Sequence, residues 1–185
     1  LKSRNTVFTD IAALDNRGLP ANLTGWGEPE RLQGYEVSAN LFTLLGVTMR
    51  LGRTFLPEED RPGANRVVVI SHEFWLRRFG GDPQLIGRSL NLNGDSYSVI
   101  GVMPAGYRFG AKADLWTPLA FTAADENERG SSYLYLIGRR KPSVSFERAG
   151  VEVETITREF DNKPNSNVSA KIRLPQESLT KEVRP

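Results

Sequence analysis

An Asn93-Gly94 pair set between two runs of alternating apolar residues constrains the fold of this 185-residue chain more than any other feature. Both central residues of a two-residue type I′ turn take positive φ, a conformation that Asn and Gly tolerate best. A turn at that pair sets Leu92 opposite Asp95 and Leu90 opposite Tyr97, because hairpin register follows from the turn. The second arm becomes apolar on both faces from Val99 to Met103. It is therefore predicted to be the more central strand, covered on both sides.

The rest of the chain is punctuated around that hairpin. Val7–Leu14 reads as a first strand that runs into the turn-rich Asp15-Asn-Arg-Gly-Leu-Pro20, and Arg31–Val37 reads as another after Gly25-Trp-Gly-Glu-Pro29. Ser38 or Asn40 caps a short helix carrying Leu41, Phe42, Leu44 and Leu45, with Gly46 just past its end. Pro57–Ala64 is a charged turn and a candidate seam. Val67–Ile70 is apolar throughout, which fits a strand buried on both faces. Ser71 caps a helix over His72–Phe79, with Glu73 in its first turn, Arg77 and Arg78 in its last and Gly80 beyond. Leu115–Phe121 forms a shorter strand with Pro118 at an edge or end.

From Tyr133 the pattern is strand, helix, strand. Tyr133–Arg139 is the first strand. Ser145 caps a helix whose stripe, Phe146, Ala149, Val153, Ile156 and Phe160, falls at intervals of three and four residues. Glu154 and Arg158 pair along it. Val168, Ala170, Ile172 and Leu174 then alternate with polar residues as a closing strand.

The chemistry available is narrow. There is no cysteine, which excludes a thiolate nucleophile, a cysteine zinc site and a disulfide scaffold. The one histidine, His72, gives little basis for a metal centre, so neither a metal nor a cofactor is expected. Ser71 beside His72 is a helix cap rather than half of a hydrolytic pair, since chain neighbours do not readily make the nucleophile–base hydrogen bond. Glu58-Glu59-Asp60 lacks the alternating ligand spacing of a calcium loop and reads as a solvated acidic turn. A net charge of +2 is too small to argue for nucleic acid. Arg77, Arg78, Arg139, Arg140 and Lys141 read as solvated ends. At this length the chain buries roughly 70% of its unfolded surface and needs no staple. The longest strongly apolar run, Val67–Ile70, is far short of the ~20 residues of a membrane helix. The polar start, Leu1-Lys-Ser-Arg-Asn-Thr6 without a methionine, reads as an excised fragment or a mature product.

Several stretches, in order, resemble one family. They are Ser38-Ala-Asn-Leu-Phe-Thr-Leu-Leu-Gly-Val47, Leu51-Gly-Arg-Thr-Phe55, Pro57–Ala64, Val67–Pro83, Ile86–Gly94, Tyr97–Gly106 and Asp114–Leu119. Together they resemble the extracytoplasmic core domain of MacB-like and FtsX-like ABC transporter permeases, in character the large duplicated orphan permeases of acidobacteria. The likeness runs from about Asn22 to Leu174. Two departures are local: Arg140-Lys-Pro-Ser-Val-Ser145 where the family usually reads Leu-Lys-Pro-Gly-Val-Ser, and Gly150 inside the last helix.

The resemblance implies an α+β fold: a porter-like part of two β-α-β elements, residues 1–64 and 121–185, with an inserted, mostly β, sabre-like part at 65–120. It implies a non-catalytic domain outside the cytoplasmic membrane, at its periplasmic or extracytoplasmic face. Its partners would be membrane helices of the same polypeptide, a periplasmic adaptor, an export substrate or a second copy of the domain, with a separate cytosolic ATPase subunit. Recognition would fall on exposed loops, here Trp26 in the Gly25–Gly27 turn and Tyr107, Arg108, Phe109 and Lys112 in the 107–112 loop. Two other readings compete. One is a secreted soluble adaptor; the other is a small hydrolase using carboxylates such as Glu58, Asp60 or Asp82.

Overall fold

The expected hairpin is formed in the computed structural model, which describes residues 5–107, 112–122 and 134–160. Leu92 stands opposite Asp95 and Leu90 opposite Tyr97, and the turn has φ of 54° at Asn93 and 92° at Gly94. Its arms are β6 (Ser89–Leu92) and β7 (Asp95–Val102). The elements before them are β1 (Phe8–Asp15), β2 (Leu19–Thr24), β3 (Glu30–Val37), α1 (Leu41–Leu45), β4 (Leu51–Gly52), β5 (Val67–Ile70) and α2 (His72–Phe79). After them come β8 (Leu115–Pro118), β9 (Leu134–Arg140) and α3 (Phe146–Phe160). The fold is α+β, as expected. The Val168–Leu174 strand lies outside the described residues.

The chain divides into two compact units, residues 12–137 and residues 1–11 with 138–185. In the first, the strand order β2-β6-β7-β5-β8-β3 closes on itself, because β2 also pairs with β3. The β5–β7 and β3–β8 pairs are parallel and the others in this ring antiparallel. A closed ring leaves none of these strands as a bare edge.

The ring has a core on each side of its wall. Leu23, Leu32, Val68, Ile70, Leu90, Leu92, Val99, Val102 and Leu115 pack with Phe74 and Trp75 of α2. Val37, Val69, Ile100, Met103 and Trp116 pack with Leu41, Phe42 and Leu44 of α1. Alternation along β5 and β8 sends neighbouring side chains to opposite cores. A bulge does the same for β7: Val68 pairs with Val99, but Val69 pairs with Gly101, so Ile100 is an extra residue. The side-chain phase shifts there, and Val99 and Val102 share one core while Ile100 and Met103 join the other. That is why Val99–Met103 is apolar on both faces.

Two glycines make this packing possible. Gly52 faces Gly101 across the β4–β7 pair. A Cβ at Gly101 would lie 2.4 Å from the Arg53 carbonyl oxygen, and one at Gly52 would lie 2.1 Å from that of Ile100.

Local signals held well at helix ends. The Ser71 hydroxyl accepts from Phe74 N–H at 3.1 Å, and Gly80 closes α2 with φ 61°. Ser145 accepts from Arg148 N–H at 3.1 Å, and Glu154 pairs with Arg158 at 2.5 Å. At α1 the expectation is corrected: Asn40 occupies the cap position with no side-chain cap bond. The Ser38 hydroxyl instead accepts from Ala13 N–H at 2.9 Å, doing the work of a strand carbonyl. In α3, Ala149 and Ile156 are buried, whereas Phe146 at the start of the stripe is 38% exposed.

Strand β2 was not foreseen, because Pro20 lacks the N–H that a strand interior uses. The proline is tolerated where β2 pairs with β3 alone, opposite Gln33. On its other side the Asn93 side-chain amide donates to the Pro20 carbonyl at 3.2 Å.

Candidate functional site

Of the expected recognition residues, Trp26 and Tyr107 turn out to be anchored. Trp26 packs edge-on against Phe79, with ring centroids 5.2 Å apart, and its indole N–H donates to the Ser89 carbonyl at 3.1 Å. Tyr107 is half-buried beside Phe42 and Trp116, at 6.3 and 6.1 Å. Burial pushes its phenol pKa well up. Lys112 is exposed, and Arg108 and Phe109 lie outside the described residues. Trp26 and Tyr107 belong to different cores and form no common surface.

The basic end of α2 is corrected from solvated to structural. Arg77 bonds Glu30 at 2.7 Å and Asp114 at 3.1 Å. Arg78 donates to the Trp26 carbonyl at 2.5 Å and also to that of Glu28. The 25–30 loop is thus held by two guanidinium groups, whose rigid forks suit several carbonyl and carboxylate acceptors at once. Its shape is fixed before any partner arrives.

The acidic turn is corrected as well. Glu58 is exposed, but Glu59 is buried. The Glu59 carboxylate takes Arg53 through a forked pair at 2.6 and 2.9 Å and Leu56 N–H at 2.8 Å. Burial pushes its pKa up, but Arg53 and the Leu56 N–H outweigh that and hold it below the ordinary 4.5. Asp60 accepts from Ala39 N–H at 3.0 Å and Ala120 N–H at 2.9 Å, one oxygen each. A single carboxylate thereby ties together three distant stretches of chain.

Those engagements weigh against a carboxylate cleft. Asp82 caps the 3-10 turn Pro83–Leu85 through Gln84 N–H at 2.8 Å. His72 stacks edge-on with Trp75 at 5.6 Å. Among the described residues, no group of three or more His, Asp or Glu side chains gathers as a metal site would require. None of their helices is long and apolar enough to cross a membrane.

The arrangement that sequence reasoning missed is in the smaller unit, at Thr6. Its N–H donates to Glu152 at 2.6 Å, and its hydroxyl donates to the other oxygen of the same carboxylate. Its carbonyl accepts from Lys141 Nζ at 2.6 Å. All three polar groups of one residue are therefore held by two charged side chains, one just after β9 and one on α3. Lys141 N–H adds a bond to the Val7 carbonyl at 2.9 Å, and Thr9 donates to the Arg139 carbonyl at 2.9 Å. Partial burial pushes the Glu152 carboxyl up, and the bonds from Thr6 and Val7 more than offset it, leaving its pKa below 4.5. Nothing in residue spacing signals this knot, because its partners are 135 and 146 positions away.

Comparison with known proteins agrees with this fold. The profile of the MacB-like periplasmic core domain family matches residues 4–156. The periplasmic region of MacB from Actinobacillus actinomycetemcomitans superposes with TM-score 0.67 at 17% identity, covering 86% of this chain and 70% of that one. The extracellular domain of the ABC-type transporter YknZ from Gram-positive bacteria gives 0.62 at 15% identity, covering 83% and 76%. A permease-protein domain from Porphyromonas gingivalis gives 0.63 at 16%, covering 85% and 65%. No curated protein matches the sequence.

Proposed function

This chain belongs to the MacB-like periplasmic core domain family, and we propose on that premise that it is a non-catalytic extracytoplasmic domain of an ABC-transporter-type permease. It engages an export substrate, a periplasmic adaptor or its own twin, and passes movement between that partner and membrane helices flanking it in the same polypeptide. A separate cytosolic ATPase subunit is the energy source in this reading.

The observation that carries the reading is the knot at Thr6. A domain that relays movement needs the stretch leading into its first strand coupled firmly to the body behind it. Thr6 is coupled to the end of β9 and to α3 at once, by bonds to charged groups, which are stronger than neutral ones. The anchored 25–30 loop supports the reading too, because a pre-shaped surface loses less entropy when it binds.

The division into a porter-like part (1–64 and 121–185) and a sabre-like part (65–120) belongs to this proposal. Strands from both sides of that division, β2 and β3 with β6 and β8, close one ring. Within residues 12–137, those strands should then move as one body through that ring.

The test uses the absence of cysteine. Lys112→Cys in the complete gene product adds a labelling site on an exposed residue of a stretch that has no cysteine of its own, and the parent product gives the labelling due to the rest. Labelling of intact spheroplasts by a membrane-impermeant maleimide, with hydropathic segments of ~20 residues encoded on both sides, is the expected result. Labelling only after lysis refutes the reading; a coding sequence with neither segment refutes it too and favours the secreted soluble adaptor.

A further inference from the structure

We propose that Asn93 is a deamidation site that strand β2 keeps closed: the Asn93-Gly94 link converts to an aspartyl or isoaspartyl one only when β2 leaves the hairpin tip. This chemistry does not depend on the permease reading. Of the asparagines in the chain, Asn93 alone is followed by glycine. Glycine carries no side chain to keep its nitrogen away from the neighbouring carboxamide carbon. Asn93 and Gly94 are both exposed, so water reaches them.

The step balances with water as the sole co-reactant. The Gly94 nitrogen attacks Cγ of Asn93, and the new C–N bond closes a succinimide ring. The bond from Cγ to Nδ2 breaks, and ammonia leaves with the proton given up by the Gly94 nitrogen. Water then opens the ring. Attack at Cγ leaves aspartate; attack at the main-chain carbonyl leaves isoaspartate, with the chain rerouted through the side chain.

Both reacting groups are occupied in the fold. Oδ1 of Asn93 accepts from Asn22 N–H at 2.9 Å, and its Nδ2 donates to the Pro20 carbonyl at 3.2 Å. The carboxamide is thereby turned toward β2 and held at both ends. The nucleophile is engaged elsewhere: Gly94 N–H donates to Asn91 Oδ1 at 3.0 Å. That same oxygen accepts from the Thr24 hydroxyl of β2 at 3.1 Å. To react, Asn93 must release Pro20 and Asn22, and Gly94 must release Asn91. The paired residues of β2 and β6 are only Leu23 with Leu92 and Thr24 with Asn91, so the Asn93 bonds extend a short ladder. The products do not restore them. An ionised aspartate has no donor for the Pro20 carbonyl, and isoaspartate lengthens the main chain of a turn whose two residues set the register. Each opening of β2 that ends in reaction is therefore recorded permanently.

The experiment incubates the complete gene product in mildly alkaline buffer beside the free peptide Ser89–Ser98, since an isolated two-stranded hairpin is marginal in water. Peptide mapping reads the amide-to-acid mass gain and isoaspartate at position 93. Conversion should run roughly ten-fold or more slowly in the folded product, because three hydrogen bonds must be given up first. Asn22→Pro removes the N–H that Oδ1 uses and should raise the rate about five-fold, with exchange protection across β7 retained. Sub-denaturing urea should raise the parent's rate in step with hydrogen exchange at Asn22 N–H, and that series decides the matter if N22P does not fold. Equal rates in product and peptide, a folded N22P that converts no faster than the parent, or a rate indifferent to urea while Asn22 N–H exchange accelerates overturns the inference.

Discussion

The bonds at Thr6 can be measured with a double-mutant cycle between Thr6→Val and Glu152→Gln. The Glu152 carboxylate receives two donors from Thr6, one at 2.6 Å. A hydrogen bond to a charged group contributes about 1.5–3 kcal/mol when shielded, and exposure to solvent lowers that. Glutamine keeps one carbonyl acceptor and loses the charge, so E152Q should cost about 1 kcal/mol, with a coupling to T6V of about 0.5–1 kcal/mol. The readout is native-state hydrogen exchange along α3, where about 1 kcal/mol is roughly a five-fold faster opening. Acidity supplies a second readout. A carboxyl whose folded pKa lies below its unfolded value stabilises the fold above that unfolded value, near 4.5, and the contribution disappears as pH falls through the folded value. Parent α3 should therefore lose protection on acidification below about pH 4.5, with a smaller loss in E152Q. Single-mutant effects that add to within about 0.3 kcal/mol, or identical acid limbs in parent and E152Q, would refute the coupling.

Three further outcomes test the rest of the scaffold. Gly101→Ala drives a Cβ into the Arg53 carbonyl 2.4 Å away and should cost about 2–3 kcal/mol in urea unfolding, with lost protection at Arg53 N–H. Asp60→Ala leaves the Ala39 and Ala120 N–H groups without their carboxylate; about 1–3 kcal/mol is expected, and less for Asp60→Asn, which retains one acceptor. Arg78→Ala frees the carbonyls of Trp26 and Glu28, so faster amide exchange across residues 25–30 and altered Trp26 emission should appear, with the β6–β7 hairpin unchanged.

What could be read from the chain divides according to how far apart the interacting residues stand. The Asn93-Gly94 register, the Ser71 and Ser145 caps and the Gly46 and Gly80 helix stops all depend on groups within a few positions. Local rules reach them. The β7 bulge is different: apolar residues on both faces announced a central strand, but only pairing with β5 decides that Ile100 is the extra residue. Strand β2 was hidden by Pro20, whose missing N–H is harmless because β2 pairs there with β3 alone; its carbonyl takes the Asn93 amide from the hairpin tip.

The charged residues follow the same division, and they carry the functional argument. Glu59, Asp60, Arg77 and Arg78 looked like solvated turn and helix-end charges because composition says only that such residues usually face water. Most of their partners stand 6 to 60 positions away and are reached only through the pairing of distant segments. In this chain the charged side chains serve chiefly as cross-braces between segments, with no gathering of carboxylates among the described residues. Under the reading proposed above, such cross-braces help a relaying body hold its shape under load. Thr6 is the sharpest instance: an ordinary residue in a polar opening stretch that becomes a junction only when β9 and α3 bring Lys141 and Glu152 to it.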